Sequence, residues 1–352
     1  MWHRQWKGFL SGMLACALII GTAGTGLALQ GKGINILQGI KVLFNGEQLI
    51  MTDAQGEGVE AFLYEGTTYI PARAVSEAMG AKVSWDQESA TVTIQDYNEL
   101  FRARRVYDKE EDTIYPYRIY VPESYDAEKA YPVVVALHGG GNRGTDNVSQ
   151  LEQLQAQIWV DKQLAGEIED VIVVAPQQSP KYGFFLDSNC VFDVLDDVET
   201  NYNVDQNRIY LTGTSMGGMG CWSTAAAAPD RFAAFLAGAG VYPDARYTFP
   251  VGIIAPAFEG DVVQTITPEE EWKGAMEHYA ETLKDFPIWM FHSKADTTAP
   301  VSYTEYMETC MQEINATNCT FTYFEDVAHG QTYQNIISQY PEAIDWLLAQ
   351  HK

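Results

Sequence analysis

The chain has 352 residues, 46% of them hydrophobic, 12% aromatic and 20% charged, a balance that supplies a sizeable core and excludes disorder over most of its length. Twenty-two Lys and Arg stand against 47 Asp and Glu, a formal net charge of −25 spread along the sequence, so nucleic acid is not an expected partner. The same charge disfavours polyanionic substrates and suits neutral ones.

Residues 1–28 come first. Arg4 and Lys7 precede an apolar run from Phe9 to Ile20 and then small residues ending in Gly26-Leu27-Ala28, the layout of a secretory signal peptide cut near Ala28. The alternative is an uncleaved membrane anchor, because the uncharged stretch continues to Leu29. The expected location is secreted or otherwise extracytoplasmic. Cys16 lies inside the apolar run with more apolar residues after it, which does not fit a lipoprotein cysteine. Export permits disulfides. Of Cys190, Cys221, Cys310 and Cys319, the pair expected to bridge is Cys310 and Cys319, which flank a short polar connection. None of the four shows metal-ligand spacing and there is no HExxH, so neither a metal nor a cofactor is expected.

Residues 35–95 read as a small α+β module. Asn45-Gly46 between apolar runs signals a tight hairpin, and TTYIP reads as a further short strand. A helix follows from about Ala72 to Met79, opened by Pro71 and closed by Gly80. AKVSW and ATVTI then alternate around Asp86-Gln87-Glu88-Ser89 as a second hairpin. The run YEGTTYIPARAVSEAMGAKVSWDQESATVTI resembles the stalk domain named for the N-terminus of copper amine oxidases, common on exported bacterial proteins. The resemblance does not imply copper, since no histidine or cysteine lies between Leu29 and Gln95. The module holds no nucleophile, base and acid together, and reads as a structural or binding unit associated with the cell envelope.

From Tyr97 to the end, strand-like segments alternate with helix-length ones: 118–122, 131–141, 170–176, 208–213, 287–292 and 319–325. Runs such as VVVAL and VIVVA are what strands buried on both faces look like, so a mostly parallel sheet covered by helices is expected. Gly213-Thr214-Ser215-Met216-Gly217 follows one of these strands and precedes a small-residue helix pattern, the setting of a nucleophile elbow. A serine hydroxyl needs a base to take its proton. In the chain order Ser, Asp, His that goes with such an elbow, His329 and His351 remain; His329 follows a strand and a turn, whereas His351 sits at the fraying C-terminus. Asp296, in the loop after PIWMFH, is the expected acid; Glu325 and Asp326 are too near His329 in sequence and Asp285 precedes the strand. The oxyanion that forms during attack calls for backbone donors. Met216, next to the nucleophile, is one, and Gly140 in His138-Gly139-Gly140-Gly141 is the other, with His138 supporting that loop.

Together with YRIYVPESYDAEKAYPVVVALHGGGNRGTDN and PIWMFHSKADTTAPV, these residues resemble the α/β-hydrolase superfamily, and within it the exported predicted-peptidase, polyhydroxybutyrate depolymerase-like and feruloyl esterase-like group. The resemblance implies hydrolysis of a small or polymer-attached ester through an acyl-enzyme on Ser215, with Asp296 and His329 completing the triad. A peptidase with the same triad, and a binding protein on a hydrolase scaffold, are the alternatives. Two departures stand out. The group usually has His-Gly before the acid, where this chain has His292-Ser293, and Tyr242 to Trp272 is a long Phe-, Pro- and acid-rich stretch that reads equally as a lid or as a surface excursion.

Overall fold

The computed structural model describes residues 35–53, 56–87, 89–108, 112–180, 182–241 and 269–352. The expected signal segment, Cys16 and positions 242–268 of the long stretch lie outside the described residues. The chain divides into two compact units between Glu99 and Leu100.

The N-terminal unit is built from short antiparallel pieces. Strands β1 (Leu37–Ile40), β4 (Ala61–Tyr64) and β5 (Thr67–Tyr69) form one sheet, while β2 (Leu43–Phe44) pairs with β3 (Glu47–Gln48) and β6 (Lys82–Asp86) with β7 (Thr91–Gln95). The turn between β2 and β3 has φ of 52° at Asn45 and 92° at Gly46, as a two-residue turn matching strand twist requires. Glu65-Gly66 repeats this device between β4 and β5, with φ of 46° and 79°. Helix α1 (Ala72–Ala78) starts after Pro71 and stops at Gly80, whose φ of 84° turns the chain so that Ala81 N–H reaches Ser76 O at 2.9 Å. A single helical turn, α2 (Tyr97–Leu100), spans the boundary.

The second unit is an α/β-hydrolase fold. It adds strands β8 (Arg102–Asp108), β9 (Thr113–Tyr120), β10 (Tyr131–Leu137), β11 (Ile172–Pro176), β12 (Val204–Thr214), β13 (Ala234–Gly238), β14 (Ile288–Ser293) and β15 (Cys319–Phe324). They form one sheet in the order β15-β14-β13-β12-β10-β11-β9-β8, parallel from β15 to β11 and antiparallel at β9 and β8. Its helices are α3 (Leu154–Leu164), α4 (Asn189–Asn201), α5 (Met216–Ala227), α6 (Glu269–Thr282), α7 (Ser302–Glu313), α8 (Thr332–Gln339) and α9 (Glu342–Leu348). Every residue of β10, β11 and β13 is buried. Val133, Val135 and Leu137 face a cluster that includes Val194, Leu195, Trp222, Met276 and Met307 from α4 to α7; the alternate Val134 and Ala136 are equally buried on the opposite face.

Two of these strands carry no strand signature in the sequence. β8, RARRVYD, is an edge strand rich in exposed arginines, and β13, AFLAG, is made of small residues without β-branching. The cysteines also differ from expectation: all four are free thiols, and Cys310 and Cys319 are not bridged. Cys310 lies on α7 inside the core cluster and Cys319, at the start of β15, packs against it. Each fills apolar space as a small hydrophobic group, and burial pushes both thiols up.

Candidate active site

The loops that matter all leave the C-terminal edge of the parallel strands, and strand register brings their starts level. Leu137 pairs with Gly213, Thr214 with Gly238, Gly238 with Phe291 and Ser293 with Phe324. Sheet growth also reverses at β10, with β11 on one side and β12 on the other. A crevice at such a switch point is where open α/β sheets take ligands.

Ser215 stands between β12 and α5 with φ 58° and ψ −122°, a conformation that costs a non-glycine residue on the order of 1–3 kcal/mol. The surroundings impose it: Ser215 N–H donates to Gly238 O at 3.0 Å and Met219 N–H to Ser215 O at 2.9 Å. The flanking glycines serve close approach and not unusual dihedrals, because neither has a positive φ. A Cβ on Gly213 would lie 2.6 Å from the Gly217 carbonyl carbon, and one on Gly217 would overlap the Leu137 carbonyl oxygen.

The structure brings Ser215, His329 and Asp296 together. His329 Nε2 is 2.8 Å from Ser215 Oγ, and His329 Nδ1 is 2.6 Å from Asp296 Oδ2. A carboxylate only accepts, so Nδ1 carries the ring proton and Nε2 presents a lone pair to the serine hydroxyl. The Asp296 side chain is fully buried, and its Oδ1 accepts from Thr298 N–H at 2.8 Å and Ala299 N–H at 2.9 Å. Burial alone would raise the Asp296 carboxyl, but hydrogen bonds from His292, His329 and Ala299 N–H outweigh it and hold the group well below the usual carboxylate range. His292 Nε2 lies 3.4 Å from Asp296 Oδ2 and 2.9 Å from Ala299 O, both acceptors, while its Nδ1 meets Thr304 Oγ1 at 2.6 Å. Ser293, where glycine was the usual residue, continues β14 as ordinary strand, so no glycine dihedral is needed there.

The loop after β10 is braced by buried and half-buried side chains. Gly139 N–H donates to Gln153 Oε1 at 2.8 Å, which commits it, while Gly140 opens a short 3-10 turn, Gly140–Asn142. Met216 opens α5, where the first N–H groups lack acceptors within the helix. His138 Nδ1–H donates to Gly139 O at 2.7 Å and Nε2 accepts from Gln178 N–H at 3.0 Å. Both ring nitrogens are thus engaged away from Ser215, and burial lowers the imidazole to about 4. Arg143 Nε donates to Gly140 O and Nη1 to Pro180 O, each at 3.0 Å. Gln155 Nε2 bonds both Gln153 Oε1, at 3.1 Å, and Thr214 Oγ1 beside the nucleophile. These glutamines were not singled out from the sequence; their signal is amides such as Gln155 on the buried face of α3. Among the described residues no group of acidic, cysteine or histidine side chains could hold a metal ion.

Residues 188–352, which include all three triad positions, match the prolyl oligopeptidase family, and residues 44–104 match the copper amine oxidase N-terminal domain. A probable acetylxylan esterase A of Aspergillus flavus is 32% identical over 135 residues, 36% of this chain and 41% of the relative, so the chain spans about two fifths of that relative's length. Among solved structures, a thermostable esterase is similar at 28% identity with a TM-score of 0.56, covering 74% of this chain and 67% of its own. A ferulic acid esterase shares the fold at 17% identity, TM-score 0.55, over 70% of this chain and 97% of its own.

Proposed function

We propose that this α/β-hydrolase unit is a serine carboxylesterase that works through an acyl-enzyme on Ser215. The observation that carries the reading is the continuous hydrogen-bond chain from Ser215 Oγ through His329 to the buried Asp296 carboxylate. As Ser215 Oγ bonds to the ester carbonyl carbon, its proton passes to His329 Nε2, and Asp296 stabilises the imidazolium that results. The oxyanion takes hydrogen bonds from Met216 N–H and Gly140 N–H, the latter because Gly139 N–H already serves Gln153. The C–O bond to the alcohol then breaks as His329 returns the proton to the leaving oxygen. Water, deprotonated by the same imidazole, releases the acid and restores Ser215.

Ester over amide is supported by the esterase names of the acetylxylan and thermostable relatives. The match to the prolyl oligopeptidase family favours the second reading, a peptidase using the same triad. Secretion rests on the pattern of residues 1–28; no helix among the described residues is long and apolar enough to cross a membrane. The N-terminal unit would then serve as a stalk toward the cell envelope.

The test is turnover of p-nitrophenyl acetate and longer acyl esters against peptide amides, with Ser215→Ala alongside. Ester turnover is expected to exceed amide turnover, and Ser215→Ala to lower kcat by about 10³-fold or more. Ester hydrolysis surviving that substitution unchanged would remove Ser215 from the mechanism, and preferential amide cleavage would favour the peptidase.

A further inference from the structure

The acid and the base of the triad reach the site on two separate loops, after β14 and after β15, and the chain must keep those loops in fixed relation. At the surface Lys294 Nζ bonds Glu325 Oε1 at 2.7 Å, but both side chains are well exposed, and an exposed pair contributes little. Beneath it lies a buried link. Ser293 is completely buried, and its Oγ accepts from Ala295 N–H at 3.2 Å in the acid loop and from Val327 N–H at 3.0 Å in the base loop. Ala295 adjoins Asp296, and Val327 is two residues before His329. The Ser293 carbonyl also accepts from Asp296 N–H at 3.2 Å.

We infer that Ser293 is a positioning residue whose hydroxyl ties the acid loop to the base loop and so sets the His329–Asp296 hydrogen bond. The inference rests on reading Ser215, His329 and Asp296 as a catalytic triad. A glycine or alanine at position 293 fits the strand backbone but supplies no acceptor, and leaves the buried Val327 N–H without its partner. The loops then separate by a fraction of an ångström, enough to weaken a 2.6 Å contact.

The experiment uses the full chain with Ser293→Ala and Ser293→Gly. Each is expected to lower kcat for an ester about 10-fold with KM unchanged, because misplacement by roughly an ångström costs up to about 10²-fold. Independently of any substrate, the far-downfield proton resonance of His329 Nδ1–H, assigned by its loss in His329→Gln, should broaden or shift upfield. In an Asp296→Asn background, removing the Ser293 hydroxyl should cost nothing further. An unchanged resonance together with unchanged kcat overturns the inference. So does a kcat loss of equal size in the Asp296→Asn background. Should either variant fail to fold, Ser293→Cys keeps nearly the same volume with a weaker acceptor and is held to the same readouts. Turnover persisting in Ser215→Ala would sink the triad reading, while the resonance still decides whether Ser293 braces the two loops.

Discussion

The two units of this chain use apolar residues differently. One tryptophan from each shows it: Trp85 on β6 is 52% exposed beside Val92 at 46%, whereas Trp222 on α5 is wholly buried, edge-on to Phe235 at 5.0 Å between ring centres. The N-terminal unit leaves Leu37, Leu43, Ile50 and Met79 exposed as well. Among the described residues its largest sheet has three short strands, against eight in the hydrolase unit. The difference teaches what a catalytic site asks of a frame. Three side chains from loops after different strands meet within hydrogen-bond distance only when the strands are held on both faces, as β10 and β13 are.

That contrast can be broken most forcefully at Gly217. A methyl group there has no room against the Leu137 carbonyl, so Gly217→Ala must move β10 and the elbow apart. We expect kcat to fall at least about 10²-fold, read by ester turnover on folded protein. Activity close to wild type would mean that the hydrolase frame yields as readily as the small unit.

His138 sharpens the comparison through pH. Its folded value of about 4 lies below the unfolded value of 6.5, so between those limits the unfolded chain binds the proton and the folded unit does not. Stability is therefore full above pH 6.5, declines as pH falls toward about 4, and is level below that for this group. That difference corresponds to about 3 kcal/mol. Denaturant unfolding of the hydrolase transition at several pH values should show a flatter acid slope in His138→Gln than in wild type. An identical slope would remove His138 from the account.

The smallest effect is expected at Trp85. Trp85→Ala, on an exposed hairpin face, should change stability by less than about 1 kcal/mol, measured on the N-terminal unit's own unfolding transition. A larger loss would show that this face is covered, and would bring the two units closer in character.

Much of the candidate site can be read from the residue order alone because it depends on local signals. A strand, a Gly-x-Ser-x-Gly turn and a small-residue helix name Ser215, and the order of loops after it names Asp296 and His329. The Asn45-Gly46 hairpin and the Pro71 to Gly80 helix are legible for the same reason. What escapes is whatever depends on partners far along the chain. The AFLAG strand is buried by neighbours and not by its own propensity, and the arginines of β8 suit an edge that only the strand order reveals. Cys310 and Cys319 look paired in sequence, yet the core between α7 and β15 takes both as packing atoms. The braces at Gln153, Gln155 and Ser293 are visible only once the loops they join lie side by side.

The arginine-bearing rim of the large sheet has a bearing on how copies of this protein meet. Strand β8 is the outermost of eight strands, met at Arg104 O by Asn147 Nδ2 at 3.1 Å, with Arg102 and Arg105 both exposed. A second molecule zipping onto that rim through its own β8 would set guanidinium against guanidinium, and like charges directly opposed across a ladder are unfavourable. The same residues that hide the strand from a sequence reader thereby discourage runaway edge-to-edge stacking.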